Sequence, residues 1–398
     1  MNIIIHRGQN QIGGSIIEIS TESTRIIFDA GSNLEEPKDV TPPEIDGLFF
    51  GKPKYDAVIV SHYHSDHIGL LGSVLPEIPI YMGKQAYDIL AAACSYKKKS
   101  IDFSHLEYKS ATDINIGDMK ITPYRCDHSA FDSYMFVISD GKKKVLYSGD
   151  FRANGWADFD KLLEKLPKVD ALIIEGTLLS RETYENNITE QQLEDIAVNA
   201  LQKYTGPAFV MGSAMNVDRM KTAYNIAQRT GRIFLEDLYT AGVLSAIGKG
   251  VPGPGTKGVR VFMVGGKDSH DELEKYSDCK IGRQAIAKSD FLMCIRATMK
   301  NTLKKINEER SFENGILFYS MWKGYRENEY TKEFLEYMES TGVKIHTLHT
   351  SGHADIATID RLVEKTSPDI LVPVHTERPE WFEKYNKTML IKENSIAL

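Results

Sequence analysis

The sequence predicts an α/β protein made of a β-rich module that carries metal ligands and a βα-rich module set into it. Three observations predict it. Short runs of β-favouring residues, separated by turn signals, fill residues 1–180. Across residues 181–345 the pattern changes to strands and helices in alternation, as in a parallel sheet with helices on its faces. Residues that can bind metal then recur at predicted strand ends on both sides of that stretch, so residues 346–398 close the first module.

The bulk properties narrow the class. A chain of 398 residues is long for one hydrophobic core. Composition is ordinary for a globular protein, with 42% hydrophobic and 26% charged residues, and the net charge of -7 argues against indiscriminate polyanion binding. Cys94, Cys126, Cys279 and Cys294 are widely spaced and form no C-x-x-C, which suits reduced thiols better than a disulfide frame. The apolar run after Met1 is too short for a signal peptide, and no stretch reaches membrane-spanning length. The sequons at Asn187 and Asn386 therefore read as chance. The expectation is a soluble, cytoplasmic protein with no membrane contact.

Taken in order, residues 2–5, 15–19 and 24–28 read as strands parted by Gly13-Gly14 and Thr21-Glu22-Ser23. Asp29-Ala30-Gly31 closes the third, and a proline-bearing loop from Glu35 to Pro43 leads to the buried run 56–60. Residues 78–82 form a strand and 84–96 a helix whose apolar face carries Ala86, Ile89, Leu90 and Ala93. A meander follows at 119–124, 134–139 and 144–148, with Asp140-Gly141 favouring a hairpin. Residues 169–175 make one more buried strand. Thr189-Glu190-Gln191-Gln192 has the form of a capping box opening a helix to about Tyr204. Strands at 207–211, 232–235, 259–264, 290–295 and 315–319 then alternate with helices at 216–229, 236–247, 299–308 and 327–339. A strand from Lys344, a helix after Asp355 and a strand at 370–374 complete the chain.

The chemistry centres on Ser61-His62-Tyr63-His64-Ser65-Asp66-His67, at the end of the buried run. Residues two apart share a side of an extended chain, so His62 and His64 can face one centre. Asp66 and His67 begin the next turn and can face another. Neutral imidazole suits zinc, and a carboxylate among imidazoles can serve a neighbouring ion. His128 is the candidate third imidazole for the first ion. Asp150, with two carboxylate oxygens, can bridge, and His375 can join Asp66 and His67. Glu175 and His353 also stand just past strands. Any one of them could be an ordinary strand-end polar residue; together with the histidine cluster they point to function.

Asp29, His62-x-His64-x-Asp66-His67, His128 and Asp150 resemble the motif series of the metallo-β-lactamase superfamily. Glu175, Ser351-Gly352-His353-Ala354 and Pro373-Val374-His375 resemble the three further motifs of its β-CASP branch. The likeness spans nearly the whole chain and is similar to the ribonuclease J-type RNA-processing nucleases without their C-terminal domain. It implies an αββα sandwich with an inserted β-CASP domain, a parallel sheet flanked by helices. It implies two Zn2+, with Mn2+ as the alternative, held by His62, His64 and His128 on one side and Asp66, His67 and His375 on the other, with Asp150 between. Asp66 would also help in catalysis. Asp29 would accept an N–H from a ligand imidazole and set its tautomer. Glu175 would keep His353 protonated as general acid for the leaving oxygen.

The resemblance further implies a zinc-dependent ribonuclease that cleaves phosphodiester bonds of single-stranded RNA by a two-metal mechanism, with a homo-oligomer among the expected states. The inserted module would supply substrate contacts. Ser213 and Asn216 lie where a strand turns into a helix, whose first amides can hold phosphate. Ser320, Trp322 and Lys323 lie in a loop suited to stacking a base, or to a plain surface turn. His346 and His349 are expected to be strand residues. The competing readings are a small-molecule metallo-hydrolase acting on an ester, lactam or thioester, and a binding protein that kept only the fold. The residues leave endonucleolytic and exonucleolytic action open.

Overall fold

The computed structural model describes residues 1–34, 41–180, 187–264, 270–389 and 394–398. Residues 35–40 of the proline-bearing loop, and the expected start of the inserted module at 181, lie outside them. The chain folds as two compact units. One comprises Met1–Ala91, Lys99–Asn187 and Ser351–Leu398, the other Ala92–Lys98 and Ile188–Thr350.

The first unit opens with β1 (Asn2–Arg7), β2 (Ile16–Ser20), β3 (Arg25–Phe28), β4 (Ala57–Ile59), β5 (Ile80–Gly83) and β6 (Leu106–Tyr108). It continues with β7 (Ile114–Ile116), β8 (Met119–Cys126), β9 (Ser133–Ser139), β10 (Lys144–Tyr147) and β11 (Ala171–Glu175). The second unit contributes β12 (Ala208–Met211), β13 (Ile233–Asp237), β14 (Val259–Phe262), β15 (Phe291–Ile295), β16 (Ile316–Tyr319) and β17 (Lys344–Thr347). Back in the first unit, β18 (Ile370–Val374), β19 (Thr388–Met389) and β20 (Ser395–Ala397) finish the strands.

Two seven-stranded sheets build the first unit, in the orders β20-β1-β2-β3-β4-β5-β6 and β19-β18-β11-β10-β9-β8-β7. Alternation along the strands explains how they pack. Ile17, Ile19, Ile26 and Phe28 of one sheet share a core with Ile121, Phe136, Ile138, Tyr147 and Ile173 of the other. The opposite face of the second sheet, through Met135, Val137, Leu146, Leu172 and Ile174, packs on the helices Phe159–Lys165 and Ile356–Thr366. Two facing sheets with helices outside them are the sandwich that the motif series implies.

The second unit holds a six-stranded sheet, β14-β13-β15-β12-β16-β17, with every pairing parallel. Phe209, Leu235, Phe291, Met293 and Leu317 pack on one face against Leu303, Ile306, Phe334 and Met338 of flanking helices. Its first helix, Glu190–Leu201, starts on the capping box read from sequence: Thr189 Oγ1 accepts from Gln192 N–H (3.1 Å) and Gln192 Oε1 accepts from Thr189 N–H (2.8 Å). Short elements with no strong period, such as β6, β7 and the helix Phe159–Lys165, carry no clear sequence signal and were not expected. His346 lies in β17 as expected, but His349 lies beyond its end, because the strand stops at Thr347.

Candidate metal centre

Strand direction gathers the site. β10, β11 and β18 are parallel neighbours, so Asp150, Glu175 and His375, at or just past their carboxyl ends, reach one edge of the second sheet. β3 and β4 are also parallel, which brings Asp29 beside Ser61 and the histidine cluster. The two loops after β3 and β4 are stitched by backbone bonds: Ala30 N–H donates to His67 O (2.8 Å) and Ser32 N–H to Ser65 O (2.9 Å). Gly31 permits that approach, since a Cβ there would lie 1.6 Å from the Asp66 carbonyl oxygen. Asp66 and His67 are thus fixed in the single turn Ser65–Ile68.

Two groups of ligand atoms result, each within 4.8 Å: His62, His64, His128 and Asp150, and Asp66, His67, Asp150 and His375. A third such group, Asp150, Glu175, His353 and His375, overlaps the second. In the first, His64 Nδ1 faces His62 Nε2 at 3.2 Å and His128 Nε2 at 3.1 Å. Bare nitrogens this close repel unless a proton on His64 Nδ1 or a cation lies among them. Tetrahedral zinc, with bonds of about 2.0–2.1 Å, would hold its nitrogens about 3.3–3.4 Å apart. Burial is the main reason that His62 and His128 titrate well below the ordinary imidazole range and His64 at about 4. The resulting neutral rings are the form that binds metal.

The second group holds three buried polar atoms that lack a hydrogen-bond partner. His67 Nε2 and both Asp150 carboxylate oxygens have no hydrogen bond among the described residues. Yet Asp150 Oδ2 stands 3.3 Å from His67 Nε2, 3.7 Å from His62 Nε2 and from His375 Nε2, and 3.8 Å from His128 Nε2. Buried polar atoms normally find partners, and a carboxylate aimed between two imidazole sets finds its partners in cations. Burial opposes the charge on both groups, but the surrounding histidines hold Asp150 far below the usual carboxylate range. The carboxylates of Asp150, Asp29 and Asp66 likewise raise His67 well above the usual imidazole value. The donor set fits a pair of divalent ions.

The surrounding groups aim these ligands. Asp29, held at φ 61°, takes hydrogen bonds from Ser61 N–H (2.6 Å), Ser61 Oγ–H (2.8 Å) and Tyr147 O–H (2.6 Å), and its Oδ2 lies 2.8 Å from His67 Nδ1. His128 Nδ1–H donates to Gly352 O (2.5 Å). The loop bearing that carbonyl is fastened by the buried Arg152, which donates to Asp127 Oδ1 (2.9 Å) and Ser351 O (3.3 Å), and by Asn154 Nδ2, which also donates to Ser351 O (3.1 Å). His353 Nδ1 lies 3.2 Å from Glu175 Oε2 and 3.6 Å from Asp150 Oδ2. Burial would lower its pKa, but those two carboxylates outweigh burial and raise it.

Sequence does not single out Asp127, Tyr147, Arg152 and Thr177. Each lies within about two or three residues of a motif residue, but nothing in the chain marks which neighbour's side chain turns inward. Of the expected substrate contacts, Ser213, Trp322 and Lys323 are exposed in the second unit. Two others differ from expectation. Ser320 is buried, with its hydroxyl donating to Leu348 O and accepting from Arg219, which is itself paired with Glu190 at 2.9 Å. Asn216 spends its side chain capping the helix Val217–Arg229, accepting from Arg219 N–H (3.1 Å).

Comparisons with known proteins match the stretches of chain that carry these residues. Residues 24–211 match the beta-lactamase superfamily domain, and residues 342–388 match the Zn-dependent metallo-hydrolase RNA specificity domain. The RNase J-like protein of Methanocaldococcus jannaschii is 27% identical over 268 residues, covering 60% of this chain and 58% of that protein. Ribonuclease J of Sinorhizobium meliloti is 22% identical over 373 residues, covering 88% and 64%. Transcription termination factor FttA of Methanosarcina mazei is 26% identical over 242 residues, covering 53% and 37%. The chain therefore spans less than two thirds of these relatives. A crystal structure of a protein of unknown function from Enterococcus faecalis V583 superimposes with a TM-score of 0.82 at 20% identity, covering 100% of this chain and 99% of that one, which shows the shared fold. The first matched stretch contains His62 to Asp150 and Glu175, the second contains His353 and His375, and the chain belongs to the metallo-β-lactamase superfamily of metal-dependent hydrolases, in its β-CASP branch.

Proposed function

We propose that the protein is a zinc-dependent ribonuclease that hydrolyses phosphodiester bonds of single-stranded RNA, with His62, His64 and His128 holding one ion and Asp66, His67 and His375 the other, Asp150 lying between. The observation that carries the reading is the Glu175–His353 pair, with His353 Nδ1 3.6 Å from Asp150 Oδ2 and His353 itself inside the stretch that matches an RNA specificity domain. The names of the ribonuclease J relatives support the same substrate class. Two ions would polarise the scissile phosphate and supply an activated water at neutral pH.

The chain's own residues do the rest. Asp29 keeps the proton of His67 on Nδ1, so Nε2 faces inward. Glu175 holds His353 in its proton-bearing form through Nδ1, leaving Nε2 to give a proton to the departing oxygen. Phe151 N–H, Thr177 N–H and Thr177 O–H all donate to Glu175, so the carboxylate stays an acceptor and is held in place. In the second unit, Trp322 with Tyr325, at a ring separation of 5.6 Å, offers a base-stacking surface beside Lys323, and Ser213 lies in the turn between β12 and the helix Val217–Arg229, three residues before its cap Asn216.

Incubating zinc-loaded protein with 5′-monophosphate and 5′-triphosphate RNA oligomers, alongside DNA of the same sequence and a chromogenic ester, tests the proposal. RNA shortened from its 5′ end, or cut to discrete fragments, supports it and separates exonuclease from endonuclease. Intact RNA together with rapid ester hydrolysis would reject it in favour of a small-molecule hydrolase.

A further inference from the structure

Glu175 serves a second histidine besides His353, through a side chain that lies outside both ligand groups. Thr177 Oγ1 lies 2.6 Å from Glu175 Oε2 and 2.8 Å from His375 Nδ1, and all three residues are buried. A hydroxyl has one proton to give. Its shorter contact is to a carboxylate oxygen that also receives Thr177 N–H (3.3 Å), and a carboxylate can only accept. The O–H therefore donates to Glu175, and the lone pair of Oγ1 is left to receive Nδ1–H of His375. That places a ring proton of His375 on Nδ1 and turns Nε2 toward Asp66 Oδ2 (3.0 Å) and Asp150 Oδ2 (3.7 Å), the acceptors with which it would share a bound ion.

The backbone that carries the ring is held as well. His375 sits in the left-handed backbone region at φ 51°, and its N–H donates to Gly8 O at 2.7 Å. Its carbonyl lies 3.3 Å from the same Thr177 hydroxyl.

We infer that Thr177 is a positioning residue that sets the tautomer of His375 through its hydroxyl, and thereby the affinity of the second ion site. Glu175 becomes the shared acceptor of a direct bond from His353 and a hydroxyl-relayed bond from His375. The inference rests on the two-ion reading above for its consequence, but not for the tautomer itself.

Two variants separate hydroxyl from shape. Thr177→Val keeps the branch and the volume and removes the O–H; Thr177→Ser keeps the O–H. Zinc titration against a chromophoric chelator is expected to show the second equivalent weakened about 10- to 100-fold in Thr177→Val, with the first unchanged, and within about threefold of wild type in Thr177→Ser. Long-range 1H–15N spectra of metal-free protein labelled at histidine are expected to show a proton on Nδ1 of His375 in wild type and Thr177→Ser, and its loss in Thr177→Val. A second equivalent as tight in Thr177→Val as in wild type overturns the inference, as does a serine variant as weak as the valine one. Wild type that takes up only one equivalent rejects the two-ion reading. The Nδ1 position then decides the role of Thr177: a proton on Nδ1 in wild type upholds it and a bare Nδ1 overturns it.

Discussion

Replacing Asp29 by asparagine exchanges one carboxylate oxygen for an amide nitrogen and changes the volume of a fully buried side chain very little. Four donors converge on Asp29: Ser61 N–H on Oδ1, and Ser61 Oγ–H, Tyr147 O–H and His67 Nδ1–H on Oδ2. An amide cannot receive them all. With its NH2 at the Oδ2 position, the hydroxyls can rotate to accept, but His67 must give up its Nδ1 proton and carry it on Nε2, pointing into the ion site. With the amide flipped, NH2 faces the Ser61 N–H, donor against donor. Either arrangement loses a hydrogen bond to a charged group and strands a buried donor, a cost of about 2–3 kcal/mol in the metal-free protein. The wrong tautomer of His67 is expected to weaken the second zinc equivalent about 10- to 100-fold, or about 1.4–2.7 kcal/mol. Chelator-competition titration measures the affinity, and urea unfolding in EDTA measures the stability. Tyr147→Phe serves as the control: it removes one donor but leaves the His67 contact, so it should cost about 1 kcal/mol of stability with zinc affinity unchanged. If Asp29→Asn binds its second zinc within twofold of wild type, the assignment of Asp29 as keeper of the His67 tautomer is wrong.

Three further outcomes are expected. His353→Ala should keep both zinc equivalents by elemental analysis while turnover of RNA falls about 10²- to 10⁴-fold, because Glu175 retains its bonds from Phe151 and Thr177; loss of a full equivalent would make His353 a ligand instead. Trp322→Ala should raise the Michaelis constant for RNA about 5- to 100-fold, the worth of one stacked base, with the zinc titration unmoved; an unchanged constant would leave Trp322 a plain surface residue. Glu18→Gln tests stability against pH. Burial would raise the Glu18 pKa, but bonds to His6 and Arg25 outweigh it and lower it from the ordinary 4.5 to about 2. Its contribution is therefore present above about pH 4.5 and disappears as pH falls toward 2. Discounted for the exposed Arg25, it amounts to about 2 kcal/mol, so the urea midpoints of wild type and variant should differ at pH 6 and converge near pH 2.5. A constant gap across that range would contradict the mechanism.

Sequence sets the strand and helix pattern wherever the period is strong, because burial imposes a two-residue repeat on strands and a 3.6-residue repeat on helices. The helix Lys84–Tyr96 and the capping box at Thr189 are cases where local chemistry suffices. It also determined which residues are candidates for metal chemistry, since imidazoles and carboxylates at the spacing of His62 to His67 have few other uses. What each of them touches depends on the fold. Asp29, Glu175 and His375 are 146 and 200 residues apart along the chain, and parallel pairing of β10, β11 and β18 puts the last two on one sheet edge. Sequence could not rank Ser320 below Ser213, because the hydroxyl of Ser320 is taken by Arg219 and Leu348, partners brought in by the fold. Nor could it point to Thr177, whose role depends on two contacts of 2.6 and 2.8 Å to groups that converge only when the chain is folded. Residue type and period are local properties; a hydrogen-bond partner is a property of packing, and the direction of a proton follows from the partner.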